Sequence, residues 1–260
     1  MALVFAASST NKVQWTIQAA GVALCPWTIW AWIYPTALTN GGGIFQQDNG
    51  VGAGTTGYRD LSVRSTGQLD TEQDMTTTDM STRSDTSNQI TINNWWFVAG
   101  SCTSAFVGHL YIGSLTAPVA EVTGYAVHTT GVGTPDSDSG GTGRWGNRSS
   151  TGTNPLNGRI ACGGYVSKAL SVAELYQLQR EPHVTPETVL YHQLGYLGTG
   201  TQPDWSGHAH TATITGATLG DHVPLPAPFG SGRRRVPYAV AAATIAGDDE
   251  PWLYYWREVA

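Results

Sequence analysis

Leu156-Asn157-Gly158-Arg159-Ile160-Ala161-Cys162-Gly163-Gly164-Tyr165-Val166-Ser167-Lys168-Ala169-Leu170-Ser171-Val172-Ala173-Glu174-Leu175-Tyr176-Gln177-Leu178 reads as one strand, a short turn and one short helix. Ser171 and Glu174 form an S-x-x-E capping box, in which each side chain satisfies an orphan backbone N–H at the helix start. Leu170 and Leu175 occupy the positions that close a hydrophobic staple. Pro182 ends the helix, because proline disfavours helical geometry in the residue before it. The rest of the chain reads as strands, so this helix, near 171–180, is the exception in an all-β sequence.

Outward from that stretch, composition narrows the class. The 260 residues suit one large all-β sandwich with an appendage, or two small domains. Charged residues make up 12%, about half the usual share, while 40% hydrophobic residues with ten Trp and eleven Tyr supply a core and exclude a disordered chain. A net charge of −6 argues against nucleic acid. No run approaches the ~18 apolar residues of a membrane span. Met1 to Ala7 lacks the basic region and cleavage spacing of a secretion signal, so synthesis in a cytoplasm is expected. Cys25, Cys102 and Cys162 show no C-x-x-C spacing and are expected as reduced thiols packed like small apolar residues, a single bridge being the alternative.

Trp27 to Tyr34 is the strongest strand. Ile29, Ala31 and Ile33 alternate with Trp30, Trp32 and Tyr34, so both faces are apolar, as in a central strand covered on both sides or a sandwich strand whose outer face is also occupied. After residue 223 the composition changes. Pro224-Leu225-Pro226-Ala227-Pro228 and the basic run Arg233, Arg234 and Arg235 belong to a linker over 224–238. Residues 239–260 contain Trp252, Leu253, Tyr254, Tyr255 and Trp256, an aromatic tail expected to dock on a partner, with folding back onto its own sandwich as the alternative.

Several segments resemble the laminin-G-like, concanavalin-A-like jelly-roll family. The G-x-I-x-x-x-x-Y strand followed by A-L-S-x-x-E resembles its closing motif. Trp95-Trp96-Phe97-Val98-Ala99 resembles its W-x-H-V-A strand, with Phe97 in place of His, and Leu110-Tyr111-Ile112-Gly113 its L-Y-V-x-G strand. Trp145-Gly146-Asn147 resembles the I-G-N strand start, and Asp204-Trp205-Ser206-Gly207 with Thr213-Ile214-Thr215-Gly216-Ala217 an ending common among such domains in bacteriophage proteins. Ala161 and Cys162 depart from the acidic residues the family often carries there. The resemblance implies a two-sheet antiparallel sandwich over residues 1–223.

Four constellations are candidates for chemistry. Asp70-Thr71-Glu72-Gln73-Asp74 on a strand would place three carboxylates on one face, the spacing that sandwich glucanases of this fold use. Its Asp-Glu-Asp order and its Thr, Ser and Asp surroundings favour instead a solvated loop or outer strand face without catalysis. Asp136 and Asp138 alternate as in the start of a calcium loop, although Asn147 stands where a bidentate Glu belongs, so calcium is the one cofactor to consider. His208 and His210, with Asp204, lack a third ligand and read as a polar turn rather than a metal site. Trp145 and Tyr125 lie near predicted loops and are the candidates for stacking on a sugar.

The expectation is therefore a non-enzymatic virion structural protein, a capsid decoration or fibre module. It would be made in a host cytoplasm, displayed on the virion surface, and attached through its tail to a major capsid or fibre protein, with further copies of itself in the assembly. The alternative is a carbohydrate-binding module for a host-surface glycan, and a glucanase-like hydrolase stands third.

Overall fold

The computed structural model describes residues 1–6, 10–17, 25–38, 41–48, 58–87, 89–136, 141–148 and 154–225. The chain opens with β1 (Ala2–Phe5), β2 (Lys12–Thr16), the long β3 (Trp27–Ala37) and β4 (Gly42–Asp48). A polar meander follows, of β5 (Arg59–Val63), β6 (Leu69–Gln73) and β7 (Met80–Ser84). Next come β8 (Trp96–Cys102), β9 (Gly108–Ser114), β10 (Ala120–Glu121), β11 (Tyr125–Thr129) and β12 (Thr142–Trp145). The described part closes with β13 (Asn157–Val166), α1 (Val172–Arg180), β14 (Thr188–Gln193), β15 (Thr213–Thr215) and β16 (Thr218–Gly220).

These strands form two eight-stranded antiparallel sheets, an all-β jelly-roll sandwich with a single helix among the described residues. The first sheet runs β10-β9-β8-β3-β13-β1-β16, with β14 also pairing β13. The second runs β11-β7-β6-β5-β4-β12-β2-β15.

The alternation in β3 builds two cores. Trp27, Ile29, Ala31 and Ile33 enter the space between the sheets, with Phe45, Leu61, Trp145 and Tyr165. Trp30 and Trp32 point the other way and are covered by Leu170, Leu175 and Leu178. Ala161 and Cys162 lie in this second cluster, beneath the helix, where an acidic side chain would be desolvated. Burial pushes the Cys162 thiol up to about 12, so it stays protonated.

The capping box forms as expected: Ser171 Oγ accepts from Glu174 N, and the Glu174 carboxylate accepts from Ser171 N at 2.9 Å. Gln179 fixes the helix's last turn to the sheet. Its amide donates to Ser114 O and Ala117 O, both at 2.8 Å, and its Oε1 accepts from Val119 N at 2.7 Å. Trp32 Nε1 donates to Gln179 O at 3.1 Å.

The expectation of three reduced cysteines is corrected. Cys25 and Cys102 form a disulfide, with Cα atoms 5.6 Å apart across 77 residues. Cys25 lies two residues before Trp27, which is paired with Cys102, so the β3–β8 register brings both sulfurs to one end of the first sheet.

Trp145 is likewise a core residue and not an exposed ring. It is fully buried, packs edge-on against Phe45 at 4.9 Å, and donates through Nε1 to His192 Nδ1 at 3.0 Å. His192 Nε2 must then carry its proton, which it donates to His210 O at 3.0 Å. Burial holds His192 down at about 4, against 6.5 in the open chain, despite the nearby Asp204. The imidazole is therefore neutral when folded. The unfolded chain takes up a proton first as pH falls, so His192's contribution is complete above pH 6.5 and is lost between about 6.5 and 4. That interval corresponds to about 3 kcal/mol. Urea denaturation across this window should show the decline, and a His192→Gln variant should lack it.

Candidate functional site

The outer face of the second sheet carries the candidate site. Cross-strand partners share a face. The registers align Thr213, Gln14, Arg144, Gln46, Asp60, Glu72, Ser81 and Thr129 in one polar row across all eight strands. Seven strand spacings make it about 33 Å long. The intervening positions Leu61, Val63, Leu69 and Phe45 face the core, so period-2 alternation produces both surfaces at once.

At the centre, Arg148 bridges two strands. Its Nε is ion-paired with Asp60 and its Nη2 with Glu72. Glu72 Oε2 also accepts from the Tyr58 hydroxyl at 3.1 Å, and Asp60 Oδ1 accepts from Glu72 N at 3.0 Å. Beside them, Asp70 accepts from Arg64 Nε at 2.6 Å and lies 3.6 Å from Arg83 Nε. Arg144 holds Asp48 through both terminal nitrogens. Ser62, opposite Asp70, is buried, and its Oγ finds no hydrogen-bond partner among the described residues.

A glycine seats Arg148. The turn after β12 passes directly over β4, and a Cβ on Gly43 would lie 2.2 Å from Arg148 N and 2.6 Å from Asn147 C. Only a residue without a side chain admits that approach. The contacts Gly43 N to Asn154 O at 3.0 Å and Gly146 N to Ile44 O at 3.0 Å hold the turn down.

Electrostatics follow from this burial. Removal from water pushes Asp60 up to about 7, against the opposing pull of Arg148 and with help from Glu72 and Asp70. Burial raises Asp70 as well, with Arg64 opposing. Tyr58 is driven far above the ordinary phenol range by burial and by Glu72, so it remains a donor. Asp60, chiefly, and then Glu72 raise Arg148 further, and it is permanently charged.

The solvated setting expected for the 70–74 carboxylates is thus overturned. Asp70 and Glu72 do share a face, but Asp70 is fully buried and Glu72 largely so, each held by arginine. Asp74 falls beyond the end of β6 and is also buried. Tyr58 and Asp60, before and on β5, and Arg148, in the turn after β12, escape a reading of the sequence because only strand pairing brings them to the β6 carboxylates. The one available signal was alternation in Arg59-Asp60-Leu61-Ser62-Val63.

Tyr125 sits half-buried on β11, its hydroxyl 3.4 Å from Glu121 Oε1 and its ring 4.4 Å from His128. Burial raises it to about 12. Trp145, in the core, has no face to offer a sugar. Asp136 is half-buried, its N–H bonded to Asp74 O, and Asp138 lies outside the described residues. Among the described residues no three ligating side chains converge to hold a metal. His210 pairs with Asp204 at 3.1 Å, while His208 is exposed. Arg233, Arg234, Arg235, Trp252, Tyr254, Tyr255 and Trp256 lie outside the described residues, so the docking expectation concerns segments the structure does not describe.

No family model matches this sequence, and no curated protein matches it. Solved structures do. A Bacteroides ovatus protein provisionally described as carbohydrate-binding matches with TM-score 0.55 at 16% identity, over 84% of this chain and 58% of that one. The SAP-like pentraxin of Limulus polyphemus matches with TM-score 0.48 at 16% identity, over 68% and 80% of the two chains. Domains LG4-5 of the mouse laminin alpha1 chain match with TM-score 0.47 at 14% identity, over 65% and 43%. This chain spans just over half the length of the Bacteroides protein, and the likeness to it establishes a shared sandwich fold.

Proposed function

We propose that the sandwich is a non-catalytic carbohydrate-binding module whose ligand lies across the outer face of the second sheet. The observation that supports it best is the unbroken polar row centred on the Arg148-bridged pair Asp60 and Glu72. Sugars are recognised by planar carboxylates and guanidiniums, which hydrogen-bond adjacent hydroxyls, and by aromatic side chains such as Tyr58 beside Glu72. A polar row about seven strand spacings long suits a chain more than a single sugar. The unpartnered Ser62 hydroxyl is a group that a bound hydroxyl or water would satisfy.

Binding fits this arrangement better than catalysis does. Paired-carboxylate hydrolysis needs one free acid and one free carboxylate flanking the bond, whereas here a single guanidinium occupies both. The virion setting is an expectation drawn from the sequence motifs. The Bacteroides protein, described as binding carbohydrate, adds support at the level of fold.

Affinity electrophoresis against a panel of polysaccharides tests the proposal. Retardation is expected, changed at least about tenfold by Glu72→Gln, which uncouples Arg148 from one of its two carboxylates at the centre of the row. No reducing ends should be released. Retardation by no polysaccharide, or hydrolysis abolished in Glu72→Gln, would remove this reading.

A further inference from the structure

The two signs of charge on this face are not equally placed. The side chains of Arg64, Arg83 and Arg148 are 36%, 27% and 22% exposed, against 0% for Asp60 and Asp70 and 17% for Glu72. The carboxylates form the floor and the guanidiniums rise above them. The three arginines are also adjacent. Asp70 lies between Arg83, its partner on β7, and Ser62, its partner on β5. Ser62 in turn is paired with Gly43, beneath Arg148. Arg64 lies two residues beyond Ser62, on the same face.

Each carboxylate takes up the inner edge of a guanidinium, since Arg64 and Arg148 both use Nε and one terminal nitrogen on the floor. Arg83 approaches Asp70 through Nε alone. Among the described residues no hydrogen bond takes up the remaining terminal nitrogens of the three, whose side chains are partly exposed. Burial raises both Asp60 and Asp70, which weakens the negative charge of the floor, and the charged groups that reach solvent on this face are chiefly the guanidiniums of the rim.

On the carbohydrate-binding reading, we infer that the ligand is an acidic polysaccharide, one bearing carboxylates, recognised by the outward N–H groups of Arg64, Arg83 and Arg148. Guanidinium and carboxylate match as parallel two-hydrogen-bond pairs, and a partly exposed guanidinium above a low-dielectric floor binds an anion more strongly than one in open water. A neutral chain would use the same sheet face but gain nothing from the asymmetry of charge.

The test compares polygalacturonate, alginate and hyaluronan with their carboxyl-reduced, neutral derivatives, using the full chain and affinity electrophoresis. At least one acidic polymer should bind. Carboxyl reduction should weaken that binding about tenfold or more, and rising salt should weaken it progressively. Arg83→Gln, which leaves Asp70 its Arg64 partner, should do the same to the acidic polymer alone. Arg64→Gln is the second variant, with thermal melting as the check on folding. Equal affinity for acidic and reduced polymers, or acidic binding unchanged in both folded variants, overturns the inference and leaves the carbohydrate reading standing. Binding to none, acidic or neutral, removes both.

Discussion

Replacing Cys25 and Cys102 together with alanine will lower the stability of the sandwich by about 4 kcal/mol. The bridge closes a loop of 77 residues, which includes β3 to β8. For a loop of that size the chain-entropy argument assigns roughly 4.5 kcal/mol to the cross-link, by restricting the unfolded chain. Set against a total of about 5–15 kcal/mol for a typical domain, that is a large share. Chemical denaturation of the double variant beside the oxidised protein measures it. Fully reduced protein should match the variant. If reductant leaves the midpoint unmoved, the cysteines are the reduced pair that composition alone suggested.

Arg148→Met should cost about 3–5 kcal/mol, because it strands the buried Asp60 and Glu72 carboxylates without their shared cation. The penalty has a definite pH dependence. Asp60 already titrates above its unfolded value, and losing Arg148 raises it further, so the folded form holds a proton that the unfolded chain has released. The deficit relative to the native protein is therefore smallest below about pH 7, where Asp60 is protonated in both folded forms, and grows as pH rises above that value. Adding Asp60→Asn to Arg148→Met should restore a substantial part of the loss. Four denaturation curves, for the native protein, each single variant and the double, complete the cycle. Additive losses would mean that the two side chains do not act on each other.

The fold was legible where the signal is local. Ser171, Glu174, Leu170 and Leu175 lie within six residues and build one helix end, and the alternating face pattern of β3 states its central place without reference to any other strand. What escaped was long-range. Cys25 and Cys102 meet only because β3 and β8 are neighbours, a fact of topology and not of spacing. Trp145 reads as a loop aromatic until β12 is seen between β4 and β2, with that ring turned inward. The carboxylates of β6 stand out in the sequence but their environment does not, since the hydroxyl residues beside them in sequence point to the other face or to other strands. Arg148, from a turn 76 residues away from Glu72, determines that environment.

The ends of the two sheets have a bearing on how this chain behaves at high concentration. The terminal strands β10, β16 and β15 have only two, three and three residues, and β11 is broken by a register shift between Tyr125 and Val127. The side of β14 away from β13 is occupied by its own loop: Tyr191 N donates to Asp204 Oδ1, Trp205 N to Tyr191 O, and Ser206 Oγ to Val189 O. Short, kinked or covered margins give a neighbouring molecule little backbone to zip onto. The sandwich is thus built to resist fusing edge to edge into aggregates, so molecules crowded together in solution can remain individually folded.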